Sequence, residues 1–344
     1  MTRTIGRILA VLGREATMTI VDVHTHMLSE AFLDALAAGS GGKYRVGRVP
    51  AGDRAIFTRD TAFVTLTQGM FDYELRVAAM DSAGVDMAIV SLTCPNVFWG
   101  DVAASTAAAE LINDDMAAAQ TAYPDRIRFL ATIPWQYPDR AVQELERACA
   151  RGAVGVMVLA NIDGVSLTDP RFAPVWDEID RRGLPVLVHP TSPIGEYQLD
   201  ISRYHLVWSV GFTFDTTLAL SRMIMDGFFD RYRNLKIIGG HAGGYLPFVI
   251  SRLDAGFRSF ESCRAAIDRL PSTYLEQIYV DSIVYSPEAL AMTLEVMGPE
   301  NVLYGSDYPH KNGKMEEIIE IVGAAPGFAH SGIMSGNAEK IFRL

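Results

Sequence analysis

The sequence predicts an α/β protein, a (β/α)8 barrel of the TIM-barrel kind. Three observations predict it. Short apolar, β-branched runs alternate with longer helical stretches along the chain, and the runs number eight. No GxGxxG follows the first run, which counts against a dinucleotide-binding doubly wound sheet. Polar residues able to bind a metal sit at the C-terminal ends of several runs, the face on which a barrel carries its site.

The runs, in order, are TIVDVHTH (19–26), MAIVSLT (87–93), IRFLATIP (127–134), AVGVMVL (153–159), LPVLVHP (184–190), LKIIGGH (235–241), IYVDSIVY (278–285) and NVLYGSD (301–307). Helical stretches at 101–123, 138–150, 172–182, 215–232, 243–257 and 287–297 separate them. The first helical stretch ends before Pro124, which cannot continue a helix. Residues 27–71 show no strong helical period and include GSGGKYRVGRVPAGDR, so a long loop over the mouth of the barrel is expected there. Residues 19–344 read as a single domain, and 1–18 as a flexible N-terminal extension: ILAVLG is too short for a secretory core.

Composition narrows the partners. The chain has 344 residues, 49% of them hydrophobic and 21% charged, and a formal net charge of −11. Such a surface repels nucleic acid and anionic membranes, and no apolar run of about 18 residues offers a transmembrane helix. The three cysteines, Cys94, Cys149 and Cys263, are far apart and form no CxxC pair. A disulfide framework or a thiolate zinc site is not expected, and a cytoplasmic, reducing location fits. Cys94 ends a strand, but no local feature marks an activating base, so it reads as structural.

The strand ends carry the chemistry. In IVDVHTHM, residues Asp22, His24 and His26 alternate with Val23 and Thr25 and so share one strand face. His189 ends the fifth run, His241 the sixth and Asp307 the eighth. A barrel brings His24, His26, His189, His241 and Asp307 to one face, although the chain has only seven histidines in all. Singly, each has an ordinary reading: paired strand histidines are often incidental, VHP is often a hydrogen-bonded core histidine, and SDYP fits a cap or turn. Jointly they point to a transition ion, zinc first, with manganese, iron or cobalt as alternatives. Three imidazoles and one carboxylate leave a position open for water or substrate. His241 reads as catalytic, as a ligand or as structural, and Asp22 as support for a ligand or for the barrel interior.

These motifs resemble the amidohydrolase superfamily, in the branch of aminocarboxymuconate-semialdehyde, resorcylate and carboxyvanillate decarboxylases. The resemblance covers residue 19 to the end and rests on DVHTH, FDYELRVAAMDSAGVDMAIVS, VLVHP, GGHAGGYLPFVISRLDAGF, YVDS, VLYGSDYP and SGNAEKIFRL. It implies His24, His26, His189 and Asp307 as ligands of one divalent metal, with His241 as the acid/base residue beside it. It implies a catalytic, substrate-binding Arg252 that reaches a neighbouring subunit's substrate carboxylate, and hence a homodimer. The end of the fourth run, VMVLAN, has no lysine to bridge a second metal, so the site is expected to be mononuclear. Two segments depart from the family pattern. The arginine that aminocarboxymuconate-type enzymes place ahead of the Asp of a WDP segment has no match in the counterpart FVTLTQGMFDYELR, with Arg59 nearest, and HPTSP stands where the family has HPWD.

The function expected is cofactor-independent, metal-assisted decarboxylation of an aromatic or muconate-semialdehyde-type carboxylic acid. The ion stabilises the electrons left when carbon dioxide departs, and His241, assisted by Asp307, delivers a proton to carbon. Arg252 and Arg59 are candidates for holding a carboxylate, and Phe98, Trp99 and Trp208 for walling the substrate. Hydrolysis of an ester, lactone or amide on the same site is the alternative, since both reactions use one ligand set. Hydration of a conjugated acid and a non-enzymatic, metal-stabilised scaffold are further readings.

Overall fold

The computed structural model describes residues 19–59, 61–193, 195–196, 198–325 and 332–344. The extension expected at 1–18 lies outside them. Eight parallel strands follow one another in chain order around one sheet: β1 (Val21–Met27), β2 (Met87–Leu92), β3 (Ile127–Ala131), β4 (Gly155–Leu159), β5 (Pro185–His189), β6 (Lys236–Gly239), β7 (Ile278–Asp281) and β8 (Val302–Leu303). Each falls within, or within one residue of, an apolar run of the sequence. β4 and β5 are buried along their whole length, as parallel strands covered on both faces must be.

β8 is shorter than the run that announced it, and its continuation closes the barrel. Val23 N donates to Tyr304 O (3.0 Å), Asp307 N to His24 O (2.8 Å) and His26 N to Tyr308 O (2.8 Å). These bonds carry the chain past Asp307 beside the histidine-bearing end of β1.

The principal helices are α1 (Glu30–Gly39), α2 (Tyr73–Ala83), α3 (Val102–Ala122), α4 (Pro138–Ala150), α5 (Ala173–Arg182), α6 (Phe212–Met225), α7 (Leu246–Ser259), α8 (Pro287–Met297), α9 (Met315–Ala324) and α10 (Asn337–Phe342). Their starts follow local chemistry. Asp72, Asp101 and Ser286 cap α2, α3 and α8 by accepting from the third residue on, and Pro138 and Pro287 open α4 and α8. Gly84 ends α2 at a left-handed φ of 77°. No helix of the described residues is long and apolar enough to cross a membrane.

The stretch 27–71 is not the long loop expected. It folds into α1 and a three-stranded antiparallel meander, Tyr44–Arg48, Arg54–Thr58 and Thr61–Thr65. The period was hidden because α1 buries only Phe32, Leu33 and Leu36 and the strands are short. Burial fixes them: truncating Leu36, fully buried, would cost about 2–5 kcal/mol. The meander does overhang the mouth, since Thr58 and residues 61–65 line the central cavity.

Candidate metal centre

His24 and His26 lie on β1, His189 is the last residue of β5, and Asp307 follows β8. One donor atom from each of these four lies within 4.8 Å of all the others, and all four residues are buried. His24 Nε2 is 3.1 Å from His26 Nε2, and Asp307 Oδ1 is 3.2 Å from His26 Nε2 and 3.7 Å from His24 Nε2. The His26 and His189 rings stand 4.8 Å apart, edge to face. Asp307 sits at φ 58° and His241 at φ 53°, left-handed positions that cost a non-glycine residue roughly 1–2 kcal/mol each. The surrounding contacts sustain that strain and aim both side chains inward.

The polar atoms fit a cation. His24 Nδ1 lies 2.6 Å from Asp281 Oδ2, and His189 Nδ1 lies 2.7 Å from the carbonyl of Pro190. Both partners accept, so each Nδ1 carries a proton and each neutral ring turns its Nε2 lone pair to the cluster. Asp307 Oδ1 is buried without a hydrogen bond. Two imidazole nitrogens at 3.1 Å and an orphaned carboxylate oxygen are mutually repulsive unless a proton or a cation lies among them.

Titration of three of the four donors points the same way. Burial, with the charge of His24 adding to it, pushes His26 down to about 3, and burial holds His189 well below the ordinary imidazole range. Burial opposes ionisation of Asp307, but the charge of His310 and the close contacts of His241 and His26 outweigh it and hold the carboxyl well below its usual range. For His24, burial opposes the charged form and the bond and charge of Asp281 overcome it, raising the pKa. Neutral His26 and His189 and an ionised Asp307 are the states a metal needs, and a cation would displace the proton that Asp281 favours on His24.

Several supporting residues escaped the sequence reading. Asp281, in YVDS, takes His24 on Oδ2 and accepts from the backbone N–H of His241 (2.8 Å), Ala242 (2.9 Å) and Ile283 (3.0 Å). Its signal was its place: it ends a strand, as the histidines do. Arg76, fully buried, donates to Thr25 Oγ1 (2.6 Å) and to the His26 carbonyl, clamping the end of β1. His310 is half-buried, with its ring 5.2 Å from that of His26 and Nε2 3.2 Å from Thr93 Oγ1. Asp22 accepts from Ser306 Oγ (2.6 Å) and N (3.1 Å), so it joins β1 to the segment after β8 and lies outside the donor cluster. Two glycines allow the close approach. A Cβ on Gly305 would stand 2.9 Å from His24 Cβ, and one on Gly240 would stand 3.1 Å from His24 Cε1.

A cavity of about 300 Å³ opens onto the cluster, and His189, His241, Asp307, His310, Trp208 and Phe212 are among its walls. His241 faces the cluster without joining the four donors: its Nε2 is 3.5 Å from Asp307 Oδ2, and its Nδ1 is buried with no partner. Cys94 also lines the cavity, and burial pushes its thiol up to about 12, as befits an inert cysteine.

Two expected walls stand elsewhere. Trp99 is buried against Phe32, with ring centroids 6.4 Å apart, and its Nε1 donates to Asn96 O, so it seals α1 to the barrel. Phe98 lines an adjoining cavity. Arg59 is exposed at the tip of a meander hairpin, at φ 51°, between the cavity-lining Thr58 and Thr61. Arg252 is exposed on α7, away from its own chain's cavity.

Residues 21–344 match the profile of a family described as amidohydrolase. The chain is 29% identical over 331 residues to 2-amino-3-carboxymuconate-6-semialdehyde decarboxylase of Dictyostelium discoideum, covering 94% of this chain and 91% of that protein. It is similar to the crystal structure of 5-carboxyvanillate decarboxylase from Sphingomonas paucimobilis, with a TM-score of 0.82, 29% identity and coverage of 95% of this chain and 100% of that one. It is similar also to 5-carboxyvanillate decarboxylase from Novosphingobium aromaticivorans, complexed with manganese and 4-hydroxy-3-methoxy-5-nitrobenzoic acid, with a TM-score of 0.82, 25% identity and coverage of 96% and 97%.

Proposed function

The chain belongs to the amidohydrolase family, and we propose that within it this protein is a mononuclear, metal-dependent decarboxylase of an aromatic or muconate-semialdehyde-type carboxylic acid. One observation carries the reading: four donor atoms converge within 4.8 Å at the floor of a cavity that a fifth polar residue, His241, also faces. The similar proteins named above are decarboxylases, which supports the reaction class.

In this reading His24, His26, His189 and Asp307 hold one divalent ion, with zinc favoured by three imidazoles and one carboxylate and manganese as the competing occupant. When bound, the ion supplies Lewis-acid stabilisation of the negative charge that remains as carbon dioxide leaves. Asp281 keeps the His24 tautomer correct, and Arg76 holds the end of β1 in place. His241 carries the proton at Nε2 that replaces the departing carboxylate on carbon. The walls of Trp208 and Phe212 exclude water from the carbanionic centre and stack against a planar substrate.

The substrate carboxylate needs a cation. Lys311 is the sole Lys or Arg among the described residues lining the cavity, and it is paired with Asp53. Arg252 of a second copy fills that need. On α7, Phe248 (74% exposed) lies one turn before Arg252, and Phe214 and Leu218 are exposed on α6, an apolar surface suited to a homodimer. Three unpaired cysteines fit a cytoplasmic location.

Metal-loaded protein assayed against hydroxybenzoates and muconate semialdehydes tests the proposal. Carbon dioxide release from one of these acids is expected. Ring opening of lactones or cleavage of esters, with no carbon dioxide from any acid, would replace the decarboxylase with a hydrolase.

A further inference from the structure

The segment HPTSP, which departs from the family pattern just after His189, builds the wall of a second cavity of about 300 Å³ beside the first. The two cavities share Thr58, Phe63 and Glu196. Glu196 is 6% exposed, yet among the described residues its carboxylate has neither a hydrogen-bond donor nor a cation. Only its backbone is bonded, from N to Pro193 O and from Ile201 N to its carbonyl. Ser192, on the second cavity's wall, buries an Oγ with no partner.

The charged and amide side chains beside them are engaged. Asn161 Nδ2 spans both oxygens of Asp215 at 3.0 and 3.1 Å, and its Oδ1 accepts from Gly164 N. Lys43 pairs with Asp163. Asp215 also accepts from Thr191 N at 3.0 Å, so the wall that carries Ser192 is tied to the end of β4 and held rigid. Three aromatic rings, Tyr44, Phe63 and Phe98, also line it.

We propose that this second cavity is a substrate subsite in which Glu196 and Ser192 read a hydrogen-bond donor, a phenolic hydroxyl or an amino group, on a planar conjugated acid. The inference rests on the decarboxylase reading and names what its substrate carries away from the reacting carboxylate. A nearly buried, unpartnered carboxylate gains a charge-assisted bond from such a donor. A methoxyl there leaves Glu196 unpaired, and a second carboxylate is repelled by it, so the residue selects by both attraction and rejection. Ser192 Oγ donates or accepts, and so completes the bonding of a hydroxyl that has given its proton to Glu196.

The test uses full-length, metal-loaded protein and salicylates that carry a hydroxyl, a methoxyl or a carboxylate at ring position 4, 5 or 6. Calorimetry gives Kd, and carbon dioxide release is followed separately. At one position at least, the hydroxyl compound should bind the wild type tenfold or more tighter than its methoxyl and carboxylate counterparts. Glu196→Gln should erase most of that preference and raise affinity for the carboxylate compound about tenfold, with a folded melting profile. Ser192→Ala should weaken the hydroxyl preference by a smaller factor. A merely structural role would not move this selectivity ratio. A wild type with no hydroxyl preference, or a preference unchanged in both variants while carbon dioxide is still released, overturns the subsite and leaves the decarboxylase standing. Selective binding, with carbon dioxide released neither from the salicylates nor from muconate semialdehydes, overturns the decarboxylase while supporting the subsite. Failure of every salicylate to bind overturns the subsite, and carbon dioxide release from muconate semialdehydes then decides the decarboxylase separately.

Discussion

Asp281→Asn is a one-atom change that separates positioning from ligation. Asp281 serves two groups of donors: Oδ2 takes His24 Nδ1 (2.6 Å) and His241 N (2.8 Å), and Oδ1 takes Ala242 N (2.9 Å) and Ile283 N (3.0 Å). An asparagine has one oxygen for four N–H groups. If its amide nitrogen takes the Oδ2 place, two donors oppose it, and His24 is driven to the tautomer with a proton on Nε2, the atom turned to the cluster. If the amide flips, Ala242 N and Ile283 N lose their acceptor. Either way a buried donor goes unpaired, at a cost of about 1–3 kcal/mol in stability. Loss of a carboxylate that orients a ligating imidazole costs about 10–100-fold in metal affinity. Chelator competition on purified protein measures the affinity, and a thermal melt in the metal-free state measures the stability. A variant that binds metal within twofold of wild type and melts alongside it would refute the reading of Asp281 as the residue that sets His24.

His241→Ala should keep its metal and lose turnover by about a hundredfold or more, checked by elemental analysis and carbon dioxide release; loss of the metal would make His241 a ligand. Phe248→Glu should shift the sedimentation of the protein from dimer to monomer and abolish turnover along with it, and Arg252→Ala should raise KM while leaving the dimer intact. Burial raises Asp215 from its ordinary 3.8 to about 6. Because the folded state holds this proton more tightly, its contribution to stability is full below pH 4 and is lost as pH rises through about 6. Urea denaturation from pH 4 to 7 should show that fall, about 3 kcal/mol at most, and Asp215→Ala should lack it.

The eight strands were legible because a strand buried on both faces favours a short apolar, β-branched run, and these runs recur between helical stretches. The clustering of His24, His26, His189 and Asp307 was legible because a barrel turns the order of strand ends into proximity: His189 and Asp307 need no nearby sequence signal once β5 and β8 are placed. The same logic applies to Asp281, which ends β7, but it went unread: its partner His24 is 257 residues away, and that pairing exists only in the closed barrel. Residues 27–71 were misread because short strands joined by Gly52 and Arg59 carry too little period to stand above a loop. Phe98 and Trp99 show a further limit: their composition suits a pocket wall or a core equally, and the path of the chain after β2 put them away from the cluster. Glu196 had no signal at all, since only burial without a partner marks it.

The central claim is that these distant strand ends make one metal site. Elemental analysis of full-length protein, loaded with zinc or manganese and then desalted, tests it directly. The expected result is about one ion per chain in the wild type and in His241→Ala, and loss of that ion in His24→Ala, His26→Ala, His189→Ala and Asp307→Ala. A wild type that retains no ion, or ligand variants that keep it, would contradict the account.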